Sequence, residues 1–234
     1  MRQKIILSVF IVTALLFQNF TSLDLINDPK YQIKKDSRLS HAKELLGQKF
    51  KKSVAAEIND GVSIEVEIYN LVKKHVPKQN QKDIENITKA ILEESNKYEI
   101  DPVFIVSIIK TESSFNPNAK GTSGEIGLMQ LMPKTGEYIA QKIKMKHFAG
   151  TKTLRDPIKN IKIGVAYINY LREKFDNTAY KYVPAYNMGP GKLTKSIGQS
   201  IRPKIYPAKV IKFYESFYKK IYLTAKSEIK VTQN

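Results

Sequence analysis

From Asn80 onward the apolar residues of this 234-residue chain recur at helical spacings, and no run alternates convincingly with a period of two. Ile84, Ile87, Ile91, Leu92 and Tyr98 form one stripe at intervals of three, four and seven. Asp101-Pro102 follows, a capping side chain ahead of a Pro at the first helical position, which marks a helix start. The helix it opens, roughly Pro102–Ser113, is apolar almost all round and is expected at the centre of the fold. Asp156-Pro157 repeats the signal before a stripe through Ile161, Val165, Ile168 and Leu171. A last helix is expected from near Pro207, with Val210, Phe213, Tyr214, Phe217 and Ile221 on one face. The pattern specifies an all-α domain of about 140 residues with Gly- and Asn-rich loops and no internal repeat.

Upstream, Arg2 and Lys4 precede Ile5–Phe17, an uncharged and mostly apolar run of 13 residues. That length suits a signal-peptide core and falls short of the ~20 residues that span a bilayer. Thr21 and Ser22 follow without a clean cleavage pattern. Residues 1–22 are therefore expected to export the chain to the cell envelope or periplasm, either as a cleaved signal peptide or as a retained inner-membrane anchor. Residues 23–80 read as an N-terminal helical extension and linker, with helical patterns at Ala42–Phe50 and Ile64–Val76 closed by Pro77. They form either an appendage packed on the domain or a docking arm for an envelope protein partner. The domain itself is placed at residues 81–222, with 223–234 as a tail.

Composition narrows the chemistry. With no Cys, disulfides and thiolate chemistry are excluded, and His41, His75 and His147 lie too far apart to share a zinc ion, so no zinc site is expected. The formal charge is +17, and residues 101–234 hold 23 Lys or Arg against 9 Asp or Glu. Such a surplus attracts polyanions, among them nucleic acid, wall polymer and membrane surface. The export signal and the lack of any nucleic-acid motif argue against nucleic acid.

Ile105, Ile108, Ile109 and Glu112 stand at i, i+3, i+4 and i+7, which puts a carboxylate within the apolar face of the central helix. It also falls in the last turn, where the helix dipole disfavours negative charge. Both effects favour the protonated form, as a general acid requires. A side chain turned out to solvent at a fraying helix end is the alternative that pattern alone leaves open.

Three motifs surround this residue: ESSFNPNA at Glu112–Ala119, GEIGLMQLMP at Gly124–Pro133 and AYNMGPG at Ala185–Gly191. In this order and spacing they closely resemble the catalytic domain of soluble lytic transglycosylases, over about Ile84 to Tyr222. The resemblance implies a lysozyme-like (goose-type) helical fold that cleaves the glycan strands of peptidoglycan, with Glu112 as sole catalytic carboxylate. It implies Ser123, Gln130 and Met132 as cleft residues, and Tyr186, with Asn187, as a holder of the glutamate and the substrate. Met129 reads as core, and Met132 enters through the resemblance alone. The sequence departs from the family at Gly121, where many members carry Ser, at Glu125, often Ala, and at Arg202–Tyr206, which lacks a common acidic residue. By the family mechanism Glu112 would protonate the oxygen between N-acetylmuramic acid and N-acetylglucosamine. It would then take the proton of the 6-hydroxyl as a 1,6-anhydro ring closes, without metal, cofactor or water. A lysozyme-like hydrolase using Glu125 or Glu137 to activate water, and a non-catalytic peptidoglycan-binding module, are the competing readings.

Overall fold

A computed structural model describes residues 28–58 and 62–232; the expected export segment, residues 1–22, lies outside them. The helices in chain order are α1 (Lys35–Leu46), α2 (Val54–Glu57), α3 (Ile64–His75), α4 (Ile84–Tyr98), α5 (Pro102–Glu112), α6 (Pro133–Lys142), α7 (Thr151–Arg155), α8 (Pro157–Lys174), α9 (Ala179–Met188), α10 (Pro190–Gly198) and α11 (Ile205–Thr232). Short 3-10 turns at Gly47–Lys52 and Lys78–Asp83 link the early helices. Among the described residues there is no strand, only isolated bridges joining Lys120 to Ile126 and Ile126 to Leu131.

Helix α5 is central, as its composition demands. Every residue from Pro102 to Ile109 is buried, against α3, α4 and α11. Each fully buried aliphatic side chain contributes about 1.5–3 kcal/mol, so this one helix anchors much of the core. Both Asp-Pro starts cap their helices: Asp101 Oδ1 accepts from Val103 N at 2.9 Å, and Asp156 Oδ1 accepts from Ile158 N and Lys159 N at 3.0 Å. The last helix begins at Ile205, two residues before Pro207, because a Pro in the first turn lacks only an N–H that has no partner within the helix. The Ala42–Phe50 pattern divides at Gly47, whose φ of 54° ends α1.

Residues ahead of position 80 share the same core, with Ala42, Ile68, Leu71 and Val72 at 0–1% exposure. They are also pinned by buried polar groups. Arg38 Nη1 donates to the Tyr218 hydroxyl at 3.0 Å and to Ala55 O at 3.1 Å. Asp101 Oδ2 in turn accepts from Tyr214 and Tyr218 at 2.7 and 2.6 Å, which joins α1, α5 and α11. The N–H of Asp101 donates to His41 Nδ1 at 3.2 Å, so His41 presents its other nitrogen to Tyr182 at 3.2 Å as the neutral tautomer. Burial, with the nearby Arg172 charge, holds His41 well below the usual histidine range. Arg172 forks onto Glu44 at 2.7 and 3.1 Å and ties α8 to α1.

Candidate active site

Helices α5 and α11 run side by side in opposite directions, and their spacings match. Asp101 meets Tyr218 at one end, and Glu112 meets Tyr206 at the other. Eleven residues separate the first pair of positions and twelve the second, about 17 Å of helix in each case. The Tyr206 hydroxyl donates to Glu112 Oε1 at 2.5 Å. Burial pushes the Glu112 carboxyl up to about 7, against the lowering effect of the Tyr206 hydrogen bond and the Lys209 charge; Glu125 adds a smaller push upward. Burial and the neighbouring Glu112 hold the Tyr206 hydroxyl well above its ordinary range, so it stays a donor. The carboxyl on the apolar face is thus half-buried and oriented, not turned to solvent.

Glu112 stands where two cavities meet. One, of about 610 Å³, is walled by Ser123, Gln130, Met132, Tyr186 and Asn187 among others; the second, of about 450 Å³, continues past Tyr206, Lys204 and Lys209. Glu112, Asn187 and Met188 border both, so the acid lies midway along an elongated cleft. All six residues expected from the sequence therefore line one cleft. Of the two candidate second carboxylates, Glu125 lines the larger cavity, whereas Glu137 is exposed on α6 and borders neither.

The cleft floor is a tight loop. After α5 the chain reverses through Ser114 and Phe115, at φ 52° and 69°, with the Phe115 ring buried and stacked on His75 at 5.4 Å. The Ser113 hydroxyl donates to Leu128 O at 2.7 Å and fixes the helix end to the GLMQ segment. Gly127 has φ 80°, and a Cβ there would stand 2.5 Å from Asn160 Nδ2 and 2.6 Å from Leu154 O, so only glycine fits. Asn160, fully buried, holds the same segment by accepting from Met129 N at 2.8 Å and donating to Ile126 O and Leu154 O at 2.9 Å.

Several expected site residues are held by backbone. The Gln130 amide donates to Ala119 O at 3.2 Å and Gly127 O at 2.9 Å, so it shapes the loop while facing the cleft. The Tyr186 hydroxyl donates to Met129 O at 2.8 Å and raises its ring as a wall beside Glu112; the hydroxyl on the carboxylate itself is that of Tyr206. Met132 is 40% exposed in the cleft, and Met129 is buried against Gly164. Sequence reasoning missed Tyr206 and Asn160. A polar residue at a core position of α8 was the available signal for Asn160; Tyr206 had none beyond its place ahead of the last helix.

A helical fold that holds a carboxyl of raised proton affinity midway along an open cleft defines a lysozyme-like domain. The transglycosylase SLT domain family matches residues 89–208, more than half of the chain, and the chain belongs to that family. It is 37% identical over 137 residues to membrane-bound lytic murein transglycosylase E of Buchnera aphidicola, covering 54% of this chain and 62% of the relative. It is 34% identical over 102 residues to the soluble lytic murein transglycosylase of Escherichia coli, covering 44% of this chain and 16% of the relative. The 70-kDa soluble lytic transglycosylase structure from Escherichia coli shares the fold at a TM-score of 0.51 and 23% identity, over 79% of this chain and 33% of that one. The lytic transglycosylase Slt structure of Pseudomonas aeruginosa gives a TM-score of 0.53 at 19% identity, over 85% of this chain and 40% of that one. The chain thus spans less than two thirds of the relatives' lengths.

Proposed function

We propose that this chain is a peptidoglycan lytic transglycosylase that cleaves the bond between N-acetylmuramic acid and N-acetylglucosamine, with Glu112 as acid and then base. The observation that carries the reading is the Glu112 carboxyl itself, pushed up to about 7 and oriented by Tyr206 where the two halves of the cleft meet. A carboxyl poised near neutral pH donates its proton to the glycosidic oxygen and, once ionised, accepts one from the 6-hydroxyl. The cleft extends both ways from this group, as a polymer cut between two sugars needs. Ser123, Gln130, Met132, Tyr186 and Asn187 are assigned to the substrate walls.

Glu125 favours a second reading. It lies in the same cavity as Glu112, and its Oε2 accepts the Ser123 N–H at 3.0 Å. A hydrolase would use such a carboxylate to activate water. Export to the envelope by residues 1–22, membrane association through the same segment and an envelope protein partner remain parts of the proposal. The basic surplus of residues 101–234 would hold the enzyme on an anionic wall, an attraction that added salt weakens.

Mass analysis of muropeptides released from purified sacculi tests the reading. Anhydromuramyl products from the parent and none from Glu112→Gln are expected. Reducing-end products that vanish in Glu125→Gln would replace the transglycosylase with the hydrolase. Binding to sacculi with no products from any variant would leave a binding module.

A further inference from the structure

Two helices that line the larger cavity, at Thr135 and Tyr167, carry a further tyrosine one turn on. Thr135 and Tyr138 stand at i and i+3 on α6, and Tyr167 and Tyr170 at i and i+3 on α8. Each outer ring is therefore one helical turn, about 4.5 Å of rise, from a cleft-lining residue. The rings form a ladder: Tyr186 against Tyr167 at 5.3 Å, Tyr167 against Tyr170 at 6.4 Å, and Tyr170 edge to face with Tyr138 at 5.6 Å.

The outer pair differs from the other tyrosines of the core. Tyr182, Tyr214 and Tyr218 are buried and spend their hydroxyls on His41 and Asp101, whereas Tyr138 is 44% exposed. Lys142 Nζ lies 5.3 and 5.4 Å from the centroids of Tyr138 and Tyr170 and clamps the two rings together. The Lys174 charge also reaches Tyr138. An exposed Tyr138 ring and a partly buried Tyr170 ring, flanked by ammonium groups, present an apolar face with cations beside it.

We propose that Tyr138 and Tyr170 form an outer saccharide platform, on which a sugar of the glycan strand stacks beyond the cleft while Lys142 faces carboxylates borne by that strand. The proposal rests on the glycan-cleaving reading above. The C–H face of a pyranose packs on an aromatic ring as another apolar surface does, and a ring already held by neighbours loses little freedom on binding. Continuity with the cleft selects a strand threading through it. The Lys142 ammonium keeps donors for a carboxylate while resting on the rings.

Calorimetric titration of uncross-linked peptidoglycan oligomers of increasing length, alternating N-acetylglucosamine with carboxylate-bearing N-acetylmuramic acid, tests this. The titrated proteins are Glu112→Gln, which does not turn over, and the same protein carrying Tyr138→Ala and Tyr170→Ala. Short oligomers are expected to bind both equally. The longest are expected to bind the tyrosine variant about fivefold more weakly. Tyr138→Ala alone, at an exposed position, shows part of the loss without touching the core, and Tyr138→Phe keeps the affinity. An identical dependence on length in all variants overturns the platform and leaves the enzyme reading intact. Failure of every protein to bind any oligomer overturns both.

Discussion

Glu125 occupies the space that a side chain on residue 121 would need: a Cβ on Gly121 would overlap Glu125 Oε2 and stand 3.0 Å from Gln130 Oε1. The two positions where the sequence departs from the pattern it resembles, Gly121 and Glu125, therefore compete for one space in the cleft wall. Gly121→Ser is expected to swing the carboxylate off the Ser123 N–H and to cost about 1 kcal/mol. In a Glu125→Ala background the same serine costs less, by about 0.5 kcal/mol or more. A double-mutant cycle by urea denaturation checks this; equal costs in the two backgrounds would refute the competition.

The protonation of Glu112 links stability to pH. Its folded value of about 7 lies above the ordinary 4.5, so the folded state keeps a proton that the unfolded chain releases between those values. The stability from this group is complete below about pH 4.5 and is lost as pH rises through about 7, a change on the order of 2–3 kcal/mol. Glu112→Gln cannot ionise and is expected to be the more stable protein at about pH 8, with the difference vanishing at about pH 4. Denaturation midpoints at both pH values decide it.

Tyr206→Phe removes the hydrogen bond that favours the ionised form of Glu112. The alkaline limb of the rate profile, which reports loss of the acid's proton, is then expected to move to higher pH while the maximal rate falls about tenfold or more. A limb that stays in place would show that the tyrosine does not set the proton affinity of Glu112.

Asp101 is fully buried, and both its oxygens are occupied by the Val103 N–H, Tyr214 and Tyr218. Asp101→Ala leaves those donors without an acceptor and the Arg38 charge without its nearby carboxylate, and is expected to cost about 3–5 kcal/mol. Tyr214→Phe removes one donor only, for about 1 kcal/mol. Chemical denaturation orders the two variants.

Asn160→Ala breaks three hydrogen bonds to the cleft loop, at Met129, Ile126 and Leu154. A loss of about 2–4 kcal/mol is expected, together with a fall in turnover larger than that of an equally destabilised variant far from the loop. Turnover scaled to the folded fraction separates the two effects.

The sequence made some of this legible and hid the rest for physical reasons. Helix starts are local, so Asp101 and Asp156 could be read from the Pro that follows each, and both cap as expected. The apolar face carrying Glu112 follows from periodicity within one helix. Tyr206 approaches Glu112 from 94 residues away, and no local spacing encodes that meeting. Arg38 and His41 were equally hidden, because composition assigns such residues to the surface and only their partners on α5, α9 and α11 make burial tolerable. Packing of the segment before residue 80 on the domain was one of two readings the sequence left open, for the same reason.

The buried carboxylate at the start of α5 also depends on residues that are made late in synthesis. Its tyrosine donors lie 113 and 117 residues further along, several seconds or more of elongation at roughly 5–20 residues per second. Until they emerge, Asp101 keeps the Val103 N–H on one oxygen while the other lacks its two tyrosine donors. Tyr206 belongs to that same late helix, so the groups that anchor the start of α5 and the hydroxyl that seats the proton at its end reach it together. The cleft thus stays unfinished until α11, the last helix described, packs against α5.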